Sequence, residues 1–276
     1  MDVRVTRERI DDLVLDHAAA PGPAGPPILY VHGLWGGAWV FEHWLRASAT
    51  HGHDAWAINL RGHHGSRPVA SLAAVGIEEY VRDVADVLAA IGPAVVVGHS
   101  LGGLVAQIVA ARDDVLAAVL VASAPPPGIP LLTWPLLRRL PWYLARMAGP
   151  RAFRAREADT CALSLNAVPP AQRRALAARF VADSGRVALQ LALGRVTMPP
   201  RPRCPMLVVG AARDRLIPAR VQRRIAHHYG AEYMEVLDRG HMLPLEPGWP
   251  APLARLLGWI ERRDGAREPV AALSAP

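Results

Sequence analysis

No lysine occurs anywhere in the 276 residues, so all 31 basic side chains are arginines. Schiff-base chemistry, a pyridoxal-phosphate lysine and a phosphate-loop lysine are therefore excluded. Cysteine is almost as scarce. Cys161 and Cys204 supply neither a disulfide framework nor metal-ligand spacing, and read as small buried hydrophobes. No run of 18 apolar residues exists, because Pro125, Pro126 and Pro127 interrupt the most apolar region. A membrane-spanning helix is not expected. The opening stretch MDVRVTRERIDDLVLDH is charged and lacks an apolar core, so no secretory signal is read and a soluble, cytoplasmic protein is expected. Solenoid repeats and recognised nucleic-acid-binding modules are also missing, so no nucleic-acid partner is expected.

What is present is a large apolar fraction, 51% of residues, enough for a packed globular chain. Strand-like runs fall at Val3–Thr6, Leu13–Leu15, Pro27–His32, Asp54–Leu60, Ala94–Val97, Val115–Val121, Pro205–Val209 and Glu232–Leu237. Several are continuous apolar runs, the pattern of strands covered on both faces. Helical stripes lie between them, such as Val81, Val84, Leu88 and Ile91, or Leu104, Val105, Ile108 and Val109. A last stripe comprises Leu253, Leu256, Leu257 and Ile260. The alternation predicts an α/β fold with a mainly parallel central sheet flanked by helices. It breaks at residues 125–202, a Pro- and Arg-rich stretch with helical patterns, read as a helical insertion. Residues 1–124 and 203–263 form the expected core, and 264–276 a flexible tail.

Charge follows the same division. Residues 131–200 hold 11 arginines against Glu157, Asp159 and Asp183, a net +8 where the whole chain is +7.

The stretch VVVGHSLGGLVAQ places Ser100 between Gly98 and Gly102, after a predicted strand and before a predicted helix. Glycines at both flanks let the chain turn sharply and push the hydroxyl above the sheet, so Ser100 is the candidate nucleophile. A serine capping an ordinary helix is the plainer reading, but Gly102-Gly103 would open such a helix poorly. A serine needs a base. His241 follows the last strand in a Gly/Pro-rich loop, where ligands sit in open α/β sheets. His227 and His228 belong to an Arg-rich helix and read as solvated. His51, His53, His63 and His64 read as loop hydrogen bonders, and His99 is expected to point away from its neighbour Ser100. Asp214, just past the seventh predicted strand, is the candidate acid, ahead of Asp238 and Glu246. An oxyanion site needs backbone N–H groups, expected from Leu101 and from Leu34 in the loop HGLWGGAW. Trp35 and Trp39 follow that loop and either line a substrate pocket or pack in the core.

The order Ser100, Asp214, His241, with His32-Gly33-Leu34, the stretch LRGHHGS at 60–66 and Gly240-His241, resembles the α/β-hydrolase superfamily over residues 27–262. LRGHHGS departs from the family's Arg-Gly-His-Gly-x-Ser turn by one added histidine. The resemblance implies an α/β-hydrolase fold, a helical cap at 125–202, and no cofactor or metal. Serine, rather than aspartate, at the corner does not look like the epoxide- and halide-processing members. It implies a serine hydrolase acting on a small-molecule carboxylic ester with a hydrophobic acyl or alcohol group. The alternatives are another reaction on the same three residues (a C–C bond hydrolase, a cofactor-free perhydrolase or haloperoxidase, a hydroxynitrile-lyase-like enzyme) or a non-catalytic ligand-binding member. In the insertion, LLTWPLLRRLPWYLARM mixes aromatics with arginines. That mixture can contact an anionic lipid surface or steer an anionic substrate, although a solvated basic face is the simpler reading.

Overall fold

The computed structural model describes residues 3–147 and 151–264. Its eight-stranded sheet begins with β1 (Thr6–Ile10) and β2 (Leu13–Ala18). These precede β3 (Ile28–Val31), β4 (Ala55–Asn59), β5 (Ala94–His99) and β6 (Val115–Val121). Helix α1 (Glu42–Thr50) joins β3 to β4, α2 (Ile77–Ile91) joins β4 to β5, and α3 (Leu101–Val109) joins β5 to β6.

Between β6 and the next strand of the main sheet, the described residues form five short α-helices, the third running on into a π-helical turn at Thr160–Ser164. They are α4 (Trp134–Leu137), α5 (Leu140–Met147), α6 (Glu157–Asp159), α7 (Pro170–Arg179) and α8 (Gly185–Leu193). A feature absent from the helical expectation joins them: β7 (Ala152–Phe153) and β8 (Asp183–Ser184) pair as a small antiparallel ladder. The chain then returns through β9 (Met206–Ala211), α9 (Ala219–Tyr229), β10 (Glu232–Val236) and α10 (Pro250–Asp264). Asp264, expected in a tail, is the last residue of α10, and the rest of that expected tail lies outside the described residues.

The strand order is β1-β2-β4-β3-β5-β6-β9-β10. All pairs from β4 to β10 are parallel; β1–β2 and β2–β4 are antiparallel. Period-two alternation divides the core between the faces. Ile28, Tyr30, Val95 and Val97 pack with Trp44 and Leu45 of α1 and Leu256, Leu257 and Ile260 of α10. Their neighbours Leu29, Val31 and Val96 point the other way, onto α2, α3 and α9 through Val84, Leu104 and Ile225. Each such side chain, fully buried, contributes about 1.5–3 kcal/mol.

The first strand departs from the sequence reading by several residues. Ile10 pairs with Leu13 across a two-residue turn in which Asp11 has φ +51°. That turn fixes the register and places the strand at Thr6–Ile10, mostly exposed, while Val3 is buried in the core.

The segment between β6 and β9 is tied to α2 and to the loops after β3 and β4 through Asp183. Its carboxylate is fully buried and accepts hydrogen bonds from the Tyr80 hydroxyl (2.6 Å), Trp35 N–H (2.9 Å) and Ser184 N–H (2.7 Å). His63 Nε2 lies 3.2 Å away, at ion-pair distance but without hydrogen-bond alignment. Burial alone would lower the pKa of His63. The charge of Asp183, with the Arg61 and Leu60 carbonyls, outweighs it and raises that pKa above the ordinary histidine value. Burial likewise opposes ionisation of Asp183, but His63, Tyr80 and the Trp35 N–H hold its carboxyl below the usual range. The histidine's contribution to stability is present below its unfolded pKa of about 6.5 and lost as pH rises through its raised folded value. The aspartate's contribution is present above about pH 3.9 and lost as pH falls through its lowered folded value. The Tm advantage of wild type over His63→Gln is therefore expected to shrink as pH rises above about 6.5. Differential scanning fluorimetry across that range checks it; a constant offset would show that the pair does not titrate there.

Candidate active site

β5 leads directly into α3, and the one residue between them is Ser100, at φ +55° and ψ −117°. A non-glycine residue at such a positive φ costs about 1–3 kcal/mol and needs surroundings that fix it. Here Ser100 N–H donates to Val121 O (3.0 Å), while its carbonyl accepts from Gly103 N–H (3.0 Å) and Ala124 N–H (2.8 Å). Two glycines let the corner close. A Cβ on Gly98 would collide with the Gly102 carbonyl, and one on Gly102 with the Val31 carbonyl.

Past the ends of β9 and β10 the structure brings Asp214 and His241 together. His241 Nδ1 is 2.8 Å from Asp214 Oδ2, and both residues are buried, at 2% and 6% exposure. The other carboxylate oxygen, Oδ1, accepts Leu216 N–H and Ile217 N–H, each at 2.8 Å. With both oxygens occupied the carboxylate is fixed in rotation. A proton on Nδ1 then points at Asp214, which leaves Nε2 with its lone pair, the tautomer a base requires. Asp238, the weaker candidate acid, is exposed and 3.5 Å from Arg213.

Two supporting residues were not anticipated. His99 is buried and does not turn away from the site: its Nε2–H donates to the His241 carbonyl (2.8 Å), with the two rings 4.8 Å apart. Burial, and next the charge of His241, push the pKa of His99 down to about 3, so it stays neutral. Glu246 reaches back across a 3₁₀ turn, Leu243–Leu245, and accepts Gly240 N–H (2.7 Å) and Met242 N–H (3.1 Å). It thus holds the backbone on both sides of His241. Burial raises the pKa of Glu246 above the ordinary glutamate value, and the two N–H donors work against that. Glu246→Ala is expected to reduce kcat on esters by about 10–100-fold, since a misplacement near 1 Å carries such a penalty, and to leave labelling of Ser100 detectable. Steady-state kinetics beside a fluorophosphonate labelling rate checks this; unchanged kcat would assign Glu246 to stability alone.

Leu34 and Leu101 flank the same corner. Leu101 opens α3, so its N–H has no carbonyl one turn earlier to bond. Leu34 lies in the turn after β3, closed by Gly36 N–H to Gly33 O (3.1 Å). A Cβ on Gly33 would stand 2.8 Å from Ser100 Cβ, so this loop runs against the serine. His32 braces it. The ring accepts Leu60 N–H at Nε2 (3.1 Å), so its Nδ1–H donates to Gly33 O (2.8 Å). Burial, with the His63 charge next, takes its pKa down to about 3.

Trp35, at φ +64°, is half-buried at the seam with the β6–β9 segment. Its N–H bonds Asp183, its Nε1–H the Phe153 carbonyl (3.0 Å), and its carbonyl accepts Val181 N–H (2.9 Å). Trp39 is buried in the core, edge-on to Phe180 at 5.4 Å with the Arg179 guanidinium 4.2 Å over its ring. A cleft of about 730 Å³ opens beside Asp214, lined by Arg173, Arg213, Arg215 and Arg239 among others. Ser100, His241, Leu34 and Leu101 are not among its walls, so it lies on the acid's side of the site.

His51, His53, His63 and His64 each bond a loop or helix-end carbonyl, and His227 and His228 are exposed on α9. Among the described residues, no group of three or more His, Cys, Asp or Glu is placed to hold a metal ion, and no helix is long and apolar enough to cross a membrane.

A mainly parallel sheet with a strained serine at the β5–α3 corner and a histidine–aspartate pair beyond β9 and β10 has the architecture of an α/β hydrolase. Residues 28–256 match the model of the alpha/beta hydrolase family, and the chain belongs to that family. A rice protein (Oryza sativa subsp. indica) named Probable esterase PIR7A is 37% identical over 107 residues, which cover 37% of this chain and 40% of the rice protein. The chain thus matches well under half of that relative's length. Among solved structures, a monoacylglycerol lipase of Paleococcus ferrophilus superposes with a TM-score of 0.70 at 19% identity, over 91% of this chain and 99% of the lipase. A hydrolase from Pseudomonas aeruginosa PA01 gives 0.66 at 20% identity, over 93% and 98% of the two chains. These two share the fold. The chain is therefore a protein of the alpha/beta hydrolase family.

Proposed function

We propose that this protein hydrolyses carboxylic esters carrying a hydrophobic acyl or alcohol group, through an acyl-enzyme intermediate on Ser100. The observation that carries the reading is the 2.8 Å His241–Asp214 hydrogen bond, taken with Ser100 held at positive φ at the β5–α3 corner. In this scheme Ser100 Oγ attacks the ester carbonyl carbon while His241 Nε2 takes the hydroxyl proton. The carbonyl oxygen becomes an oxyanion held by the Leu34 and Leu101 N–H groups, each contributing about 2.7–4 kcal/mol at the transition state. The C–O bond to the alcohol breaks, and His241 returns the proton to that alcohol. Water then gives a proton to His241 and attacks the acyl carbon, releasing the acid and restoring Ser100. Asp214 stabilises the imidazolium that forms twice per cycle. Trp35, beside Leu34, would form part of the wall around the acyl or alcohol group, with Trp39 behind it.

The names borne by the rice relative and the lipase support an ester over other acyl substrates. A panel of p-nitrophenyl esters of increasing acyl length, run beside β-diketones, tests the reading. Turnover of esters alone is expected. Cleavage of β-diketones without ester turnover would move the protein to C–C bond hydrolysis on the same residues.

A further inference from the structure

Seven large hydrophobic side chains are exposed among the described residues, and five fall in one stretch: Leu132, Trp134, Leu137, Leu140 and Leu144. Leu132 and Trp134 are 67% and 70% exposed. The stretch spans α4 and α5, whose inner side is already used. There Trp142, Tyr143 and Met147 pack with Phe153, and Tyr143 meets Trp35 at 6.5 Å. A surface helix ordinarily turns charged residues to water on the side away from the core. On α5 the exposed side carries Leu140, Pro141, Leu144 and Ala145, with a single charge, Arg146, whose guanidinium lies 4.8 Å over the Trp142 ring.

The charges around this face are mostly positive. Arg138 and Arg146 are exposed and form no ion pair with a carboxylate among the described residues. Arg138 also lines a small cavity of about 260 Å³ with Arg139, Arg156 and Asp159. Asp159 is shared there between Arg139 (2.6 Å) and Arg156 (2.8 Å), so three guanidiniums face one carboxylate. Apolar side chains bordered by unneutralised arginines match a membrane interface, with chains below and anionic phosphate above. A solvated basic face would need no leucines at these positions, and nucleic acid would leave them uncovered.

We infer that the α4–α5 face docks on an anionic lipid bilayer surface. Trp134, Leu137, Leu140 and Leu144 enter the headgroup–acyl boundary, and a lipid phosphate sits at the Arg138, Arg139 and Arg156 cavity. Binding by this face does not depend on the reaction proposed for Ser100 and is read without it. Because the inner side of α5 meets Trp35, a docked protein holds its candidate active-site loop close to the membrane.

The test is co-sedimentation of the full chain with vesicles of phosphatidylglycerol and phosphatidylcholine against vesicles of phosphatidylcholine alone. Pelleting with the anionic vesicles is expected, weakened by salt as the Debye length falls from about 30 Å at 0.01 M to about 8 Å at 0.15 M. Arg138→Glu is expected to weaken binding by at least about fivefold. The double substitution Trp134→Ser with Leu144→Ser is expected to weaken it by at least about tenfold. Both variants replace exposed side chains, and a Tm within about 2 °C of wild type confirms their folding. The inference is overturned by any of three results. They are no pelleting with anionic vesicles at low salt, equal pelleting with neutral vesicles and with Arg138→Glu, or a dimer in analytical ultracentrifugation that the double substitution dissolves. The last would make the face a contact between two copies of the chain.

Discussion

Ser100→Ala is expected to lower kcat on p-nitrophenyl esters by about 10⁵–10⁶-fold and to abolish covalent labelling by a fluorophosphonate. The substitution removes only Oγ. The hydrogen bonds that hold the corner run through the backbone of residue 100, to Val121, Gly103 and Ala124, and alanine inherits the same φ at the same cost. The variant should fold and melt like the wild type, so the loss reads as chemistry. Mass spectrometry of the labelled wild type should find the adduct on Ser100. An adduct on another serine, or an unlabelled protein that still turns over esters, would sink the assignment.

His241→Ala is expected to cost nearly as much as loss of the serine, since the two act as one unit and their effects do not add. Asp214→Asn should cost somewhat less, on the order of 10⁴-fold. The amide keeps the shape of the carboxylate, but Leu216 N–H and Ile217 N–H demand an oxygen at Oδ1. The NH₂ is thereby turned toward His241 Nδ1, which must then accept, so the ring's proton moves to Nε2 and the base is lost. Asp238→Asn, at an exposed and loosely paired residue, should change kcat by less than about fivefold. Kinetics of the three variants on one ester decides among them, and a crippled Asp238→Asn beside an active Asp214→Asn would reverse the choice of acid.

Sequence could expose the corner because everything that shapes it is local: two glycines, a serine, an apolar run before and a helical stripe after. Asp214 and His241 could be paired because each follows a strand, and parallel strands deliver their ends to one edge of the sheet. What sequence hid were contacts between distant residues. His99 touches the backbone of His241 across 142 positions, and the divergence of side chains at a tight turn gave no hint that its ring reaches the histidine. Glu246 read only as a weaker candidate for the acid; a three-residue 3₁₀ turn reverses the chain and returns its carboxylate to Gly240 and Met242. Asp183 entered the sequence reading only as one acid in an arginine-rich stretch, yet it is buried against His63 and Tyr80. The first strand was misplaced for a related reason. Its exposed residues carry no apolar run, and its position is set by pairing with β2 rather than by its own composition.

The Trp35 contacts bear on modularity. Three atoms of this one loop residue are bound by the β6–β9 segment, at Asp183, Phe153 and Val181. The neighbouring residue is Leu34, whose N–H the proposed mechanism needs in place. The segment is therefore not a detachable cover. Excising it, or exchanging it for the equivalent piece of a relative, would release the loop next to the serine unless the replacement brings a buried carboxylate and two backbone partners to the same points. Recombination between such hydrolases would have to treat residues 33–35 and 181–183 as one block, although 145 positions of chain separate them.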